Sequence, residues 1–278
     1  MAAAERIIAT ILGCGSSGGV PRIGNVWGAC DPENPRNRRL RSALLIEGWR
    51  EGSEQPTRIV IDTGPDLREQ LLREHVDRVE AVVYTHAHAD HFHGIDDLRV
   101  LALHNRPRVD VYFTAETGAR IREAFGYCFT TPPGSDYPPI LDAHEIVAGT
   151  DLVIDGPGGS IALSPFEQEH GNITSLGFRI HDFAYSVDLS GFPQASFAAI
   201  SNLKLWILDA LRPTPHPSHL SLPEALDWIT RFSPRQAVLS DLHIDLDYAT
   251  TDAETPANVT PAFDGMRIDV TTGEILNR

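Results

Sequence analysis

Between residues 84 and 94 the chain reads YTHAHADHFHG, with four histidines and one aspartate inside eight positions. Imidazole nitrogens and carboxylate oxygens are ligands that zinc, manganese and iron share, so a group this dense points first to a metal centre. It follows VEAVVY, a short apolar run that reads as a strand. In extended backbone His86 and His88, two residues apart, aim their side chains the same way and can reach one ion. Asp90 and His91 fall where the chain turns into the next helix, from which they can serve a second ion. Protein sites hold such pairs about 3.5–4 Å apart. The competing reading is a patch of surface histidines near a helix start.

A two-ion site needs more ligands, including a carboxylate to bridge the cations. His170 follows SPFEQE, Asp188 ends FAYSVD, and His243 ends QAVLSDLH. Each alone reads as an ordinary surface or hydrogen-bonded residue. Together, at the ends of successive strand-like runs, they extend the cluster.

The elements that must position these residues alternate along the whole chain. RIIATIL, SALLIE, RIVIDT, EAVVYT and RVDVYFT read as strands in the first half. SIALSPFEQ, SLGFRIH, FAYSVDL, LKLWILDA and QAVLSDL read as strands in the second. PDLREQLLREH carries Leu67, Leu71 and Leu72 at helical spacing, IDDLRVLALHN is a second helix, and TAETGARIREAF a third with Thr114 as cap. SLPEALDWITRF opens with Ser221 and Glu224 in capping-box positions. The Pro-rich stretch 126–139 reads as a lid or a long connection. No composition break marks a linker, so residues 1–278 read as one α/β domain with sheets packed inside and helices outside.

A net charge of −15 argues against a large nucleic acid as partner, because phosphate neutralisation needs clustered Lys and Arg. It leaves room for a small anionic substrate held by metals or a few arginines. No apolar run approaches the ~20 residues of a membrane helix. Three widely spaced cysteines, Cys14, Cys30 and Cys128, make no disulfide framework and fit a reducing cytoplasm. ILGC at 11–14 loosely matches a lipoprotein cleavage box, but Glu5 and the short apolar stretch before it favour a first strand over Ile7–Leu12 and a cytoplasmic protein.

THAHADH, then the His of EHG, the Asp of SVDLSG and the His of DLHIDLDY resemble the metallo-β-lactamase superfamily, over a span from ILGCGSSGGVPRIG to beyond His243. Within it the chain looks most like the phosphodiesterase branch, which holds the phosphoribosyl cyclic phosphate phosphodiesterase and, further off, ribonuclease Z. The resemblance implies a four-layer αββα sandwich with the site at one edge of the paired sheets. It implies His86, His88 and His170 on one metal, Asp90, His91 and His243 on the other, and Asp188 bridging. It makes Asp62 of VIDTG a support behind the ligands, where the residue could otherwise simply cap the helix after Pro65. The cofactors it implies are two divalent ions, Mn²⁺ or Zn²⁺, which an all-nitrogen-and-oxygen ligand set does not tell apart.

In that branch a histidine in the context H-x-[ST]-x-x-E-A moves the proton, and His219 of HLSLPEAL matches it while His216 nearby competes. Catalysis would then join a metal-bridging hydroxide to proton donation by His219, with Asp90 contributing beside the metals. GCGSSGGVPRIG lacks the G-K-[ST] of a nucleoside triphosphate loop, yet it follows a strand and offers Ser16, Ser17 and Arg22 as substrate contacts. NPRNRRLR, 34–41, is either a solvated basic face or a receiver for phosphate. Cys30 has no close partner cysteine, so the structural zinc of the phosphonate-pathway relative is not expected. No basic insertion matches the tRNA-gripping arm of ribonuclease Z. The expected function is hydrolysis of a small cyclic phosphate or nucleotide-like phosphodiester, in a protein that could be a homodimer. The alternatives are a lactonase, a thioesterase or a tRNA 3′-processing nuclease, or a non-catalytic relative of the pyrroloquinoline quinone biosynthesis protein.

Overall fold

A computed structural model describes residues 2–105 and 108–277. The strands are β1 (Arg6–Gly13), β2 (Ala43–Trp49), β3 (Thr57–Ile61), β4 (Ala81–Val83), β5 (Val109–Phe113), β6 (Leu141–Glu145), β7 (Leu152–Ile154) and β8 (Ile161–His170). They continue with β9 (Ile173–Ile180), β10 (Phe183–Ser186), β11 (Leu205–Asp209), β12 (Gln236–Ser240), β13 (Val259–Pro261), β14 (Arg267–Asp269) and β15 (Glu274–Ile275). The helices are α1 (Leu67–Arg73), α2 (Ala89–Phe92), α3 (Leu98–Asn105), α4 (Ala115–Phe125), α5 (Leu222–Phe232) and α6 (Tyr248–Glu254).

The strands form two sheets, in the orders β15-β14-β1-β2-β3-β4-β5-β6 and β13-β12-β11-β10-β9-β8-β7. Alternation along each strand sorts the side chains into three cores. Ile11, Leu44, Ile46 and Ile59 of the first sheet meet Phe178, Tyr185, Ile207 and Val238 of the second in the middle layer. The opposite face of the first sheet, with Leu12, Leu45, Val60 and Val82, buries Leu67 and Leu71 of α1 and Leu98 of α3. Leu72, grouped with those two leucines by spacing, is exposed. The outer face of the second sheet, with Ala184, Trp206, Leu208 and Leu239, buries Ala225 and Ile229 of α5. This is the αββα sandwich that the resemblance implied.

The edges hold elements too short or too polar to show a period. β6 is a mostly solvent-facing edge strand, and β7, β13, β14 and β15 span two or three residues each. The stretch 126–139 starts as a single 3-10 turn, and Cys128 O at its start accepts from Ile140 N at 2.9 Å. No helix of the described residues is long and apolar enough to cross a membrane.

Register decides what gathers at one end. β10, β11 and β12 run parallel, with Ser186 opposite Leu208 and Asp209 opposite Ser240. Their carboxyl ends, and the aspartates at or just beyond them, therefore lie side by side. β3 and β4 are likewise parallel, with Ile61 opposite Val83, so Asp62 and the histidine loop leave together. A hydrogen bond from Leu176 N to Thr85 O, 2.9 Å, ties the two sheets where these ends meet.

Candidate metal centre

The loop from Tyr84 to Gly94 is latched before its side chains do anything. Thr63 N donates to His91 O at 2.7 Å and Gly94 N to Thr63 O at 2.8 Å. Only glycine fits at 64, where a Cβ would lie 2.1 Å from Asp90 O. Three aspartates at strand ends, Asp62, Asp188 and Asp241, take left-handed backbone at φ 67°, 55° and 60°. Each such conformation costs about 1 kcal/mol or more and persists where surrounding contacts impose it.

Asp62 is fully buried and caps no helix. Its Oδ1 accepts from Thr85 N at 2.8 Å, and its Oδ2 from Thr85 Oγ1 and His91 Nδ1, both at 2.7 Å. The Thr85 hydroxyl has a single proton, spent on Asp62, so at 2.9 Å it accepts from His86 Nδ1. One carboxylate thus sets two tautomers, leaving Nε2 of both His86 and His91 with a lone pair. His170 Nδ1 donates to Ser218 O at 2.7 Å, so its Nε2 keeps a lone pair and lies 3.1 Å from His88 Nδ1. Thr85 had no signal in the sequence beyond preceding the first histidine.

The freed atoms converge. His86, His88, His170 and Asp188 each place one ligand atom within 4.8 Å of the others, and so do Asp90, His91 and Asp188. Asp188 belongs to both groups. His86 Nε2, His91 Nε2 and Asp188 Oδ2 are buried without a hydrogen-bond partner, although His91 Nε2 and Asp188 Oδ2 lie only 2.9 Å apart. Buried orphan lone pairs cost about 1–3 kcal/mol each unless something satisfies them. A divalent cation would satisfy such atoms, so the residues fit metal binding.

Charge agrees with that reading. Burial, with His91's charge adding, holds His86 well below its ordinary value, so it is a neutral ligand. Burial also opposes a charge on His91, but Asp188, Asp90 and Asp62 outweigh it, so in the metal-free protein they draw a proton onto Nε2, facing Asp188 Oδ2 at 2.9 Å, where a bound cation would take its place.

His243 stands apart. Among the described residues it joins neither group: its Nε2 is engaged by the Arg22 guanidinium, and its Nδ1 lies 2.9 Å from Asp245 Oδ2. Of the glycine-rich loop, Arg22 touches His243. Ser16 is buried, and its Oγ has no partner. Ser17 is exposed and offers its carbonyl to Arg41 Nε.

The basic run 34–41 is not a free receiver of phosphate. Arg36 lies over Tyr248 and Phe263, Arg38 over Trp27, Arg39 is buried, and Arg41 pairs with Asp66 at 2.8 Å. His93, the fourth histidine of the loop, packs edge-on against Phe92 and Phe125.

His219 lies beside the cluster, its ring centroid 4.8 Å from that of His170. Its Nδ1 donates to Asp209 Oδ2 at 2.9 Å and lies 3.2 Å from Asp241 Oδ2, while Nε2 faces Asp188 Oδ1 at 3.9 Å. Asp209 and Asp241 are buried, and sequence reasoning missed both. Burial works against a charged His219, but the charge and hydrogen bond of Asp209, helped by Asp241, push it up to about 12. Burial raises Asp209 to about 7, with Asp241's charge adding and His219 opposing. His216 lies 5.1 Å from His219, ring to ring, and is tied instead to Ser218.

Two packed sheets, helices on both outer faces and a His/Asp cluster at the strand ends define a metallo-β-lactamase-fold hydrolase. The family model for the beta-lactamase superfamily domain matches residues 57–244, and the chain belongs to that superfamily. A solved diphosphatase from the PhnP family is 31% identical, with a TM-score of 0.82 over 95% of this chain and 97% of that one, which puts the chain in the phosphodiesterase branch. Zn(2+)-bound PqqB from Methylobacterium extorquens shares the fold at 14% identity, with a TM-score of 0.69 over 94% of this chain and 99% of that one. An octanoyltransferase from Porphyromonas gingivalis is 29% identical over 92% of this chain, which spans only 50% of that protein's length.

Proposed function

We propose that the protein hydrolyses a small cyclic phosphate or nucleotide-like phosphodiester, using two divalent ions, Mn²⁺ or Zn²⁺. His86, His88 and His170 would hold one ion, Asp90, His91 and His243 the other, and Asp188 would bridge them. For His243 to do so its Nε2 must leave Arg22, which frees that guanidinium for a phosphoryl oxygen at the rim. The ions would lower the pKa of water and neutralise charge building on the phosphoryl group.

The observation that carries this reading is His219. Phosphodiester hydrolysis adds water's oxygen to phosphorus, breaks one P–O bond and leaves an alkoxide that needs a proton. Asp209 and Asp241 keep His219 protonated at neutral pH and fix Nδ1, so Nε2 carries the proton on the side facing Asp188. The 31% identity to a PhnP-family diphosphatase supports hydrolysis at phosphorus.

The test is hydrolysis of bis(p-nitrophenyl) phosphate, nitrocefin and a simple lactone by protein reconstituted with manganese or zinc. Of these three only the phosphodiester should be cleaved, and on a 2′,3′-cyclic nucleotide, whose leaving group is an alkoxide, His219→Ala should lose about 10²–10⁴-fold in turnover with both ions still bound. Full turnover in that variant, or cleavage of the lactone alone, would overturn the proposal.

A further inference from the structure

Arg39 is 1% exposed, and among the described residues no carboxylate lies in ion-pair range of it. An arginine so deeply buried normally faces a carboxylate, because an uncompensated charge in the interior is costly. Its partners here carry no formal charge. Nη1 donates to His243 O at 3.3 Å and lies 3.8 Å from Cys30 Sγ, and Nη2 donates to Leu246 O at 2.8 Å and to Asn37 Oδ1 at 3.2 Å.

Those two carbonyls belong to the first and last residues of one tight turn, closed by Leu246 N donating to His243 O at 3.1 Å. The rigid guanidinium fork spans the turn as two separate donors would not. Neighbours complete the clamp: Ala29 N donates to Ile244 O at 2.8 Å, and the Cys30 thiol lies 3.4 Å from the carbonyls of Ile244 and Leu246. The backbone of Arg39 also exchanges two 2.9 Å hydrogen bonds with Val20, two residues before Arg22. One residue thus fixes both the turn that presents His243 and the segment carrying the guanidinium that touches it.

We infer that Arg39 is a positioning residue for the second ion: its buried guanidinium holds the 243–246 turn so that the His243 imidazole reaches that ion. The inference rests on the reading of His243 as a ligand of that ion. Arg39 touches neither ion nor substrate. It acts only through the turn, so its loss should separate the two ions instead of weakening both.

The experiment compares Arg39→Lys, Cys30→Ala and His243→Ala with the wild type, titrating metal-free protein with Zn²⁺ by calorimetry and counting bound zinc after dialysis. Lysine keeps the charge but not the fork, so Arg39→Lys should bind the first ion normally and the second about 10–100-fold more weakly, as loss of a ligand-orienting contact does. In the metal-free Arg39→Lys protein, hydrogen exchange at the Leu246 amide should quicken. Two ions at wild-type affinity, equal weakening of both, or unchanged exchange at Leu246 would overturn the inference. Should Arg39→Lys not fold, Cys30→Ala decides: a smaller loss confined to the second ion supports the clamp, and no loss removes it. His243→Ala separates the two ideas. If it retains both ions the ligand reading falls and takes the inference with it. If it loses one ion while Arg39→Lys keeps both, the inference alone falls.

Discussion

The two halves of the site are built by different means. The His86, His88 and His91 half comes from one short loop whose tautomers are set by a single buried carboxylate, Asp62, and the hydroxyl beside it. The half with His219, Asp209, Asp241 and His243 is collected from two neighbouring strand ends and two loops, and Asp241 and the His243 turn are braced from far along the chain. Asp241 Oδ1 lies 3.1 Å from Ser42 Oγ, and the His243 turn leans on Arg39. In the first half Nε2 of His86 and of His91 have no hydrogen-bond partner, whereas in the second Nε2 of His243 is occupied by Arg22. Local encoding gives a preassembled cluster, and long-range bracing gives one that can be adjusted.

Asp188 joins the halves, so its removal should have the largest effect. Asp188→Ala is expected to lose both ions on dialysis and to lower kcat/KM on the order of 10³-fold or more, the several kcal/mol that metal ions supply. Metal analysis beside phosphodiester hydrolysis checks it. A variant that keeps the ion of His86, His88 and His170 at full affinity would mean that the halves load independently.

Asp62→Asn probes the local half. The new amide can still accept from Thr85 N, but its NH₂ would face two other donors, the Thr85 hydroxyl and His91 Nδ1. Both tautomers lose their anchor, and metal affinity should fall about 10–100-fold. Calorimetric titration reads this directly. Unchanged affinity would show that the latch of backbone at Thr63 and Gly94 orients the loop without the carboxylate.

The same contrast explains what the sequence made legible. His86 and His88 were readable because a two-residue repeat at the end of a strand determines where both side chains go. Asp209 and Asp241 were not. Each is an aspartate closing an apolar strand, a pattern that occurs wherever a strand ends at the surface, and only the parallel order of β10, β11 and β12 turns them onto His219. The capping box of α5 was visible in Ser221 and Glu224, while β13, β14 and β15 are too short for any periodicity. The run 34–41 misled for the opposite reason. Charge is visible in a sequence, but that Arg39 would be buried against carbonyls depends on a turn more than 200 residues away.

Asp264 tests the long-range bracing through pH. It is nearly fully buried, and it accepts from Cys14 N at 3.1 Å and Leu40 N at 2.8 Å. Cys14 O in turn accepts from Leu242 N, next to His243. Burial raises the Asp264 carboxyl to about 6, while its backbone hydrogen bonds oppose the shift. With the folded value above the unfolded one, near 3.9, the native state holds the proton longer. This share of stability is present below about pH 4 and is lost as pH rises to about 6. The stability difference between wild type and Asp264→Asn should therefore fall by up to about 3 kcal/mol across that window, measured by denaturant unfolding of the metal-free proteins. A difference that stays flat would mean that the carboxyl is already ionised in the fold at pH 4.

The smallest effect belongs to the element nearest His219. Ser221 caps α5 by accepting from Glu224 N at 3.4 Å, and Glu224 Oε2 returns to Ser221 N at 2.8 Å. Ser221→Ala should cost about 1 kcal/mol and lower Tm by about 2–4 °C. Turnover should barely change, because His219 is fixed from the side by Asp209 and Asp241 and not from the helix two residues on. Turnover falling as far as it does in His219→Ala would reverse that assignment. The cap would then position the proton donor, and the two buried carboxylates would serve only to hold its charge.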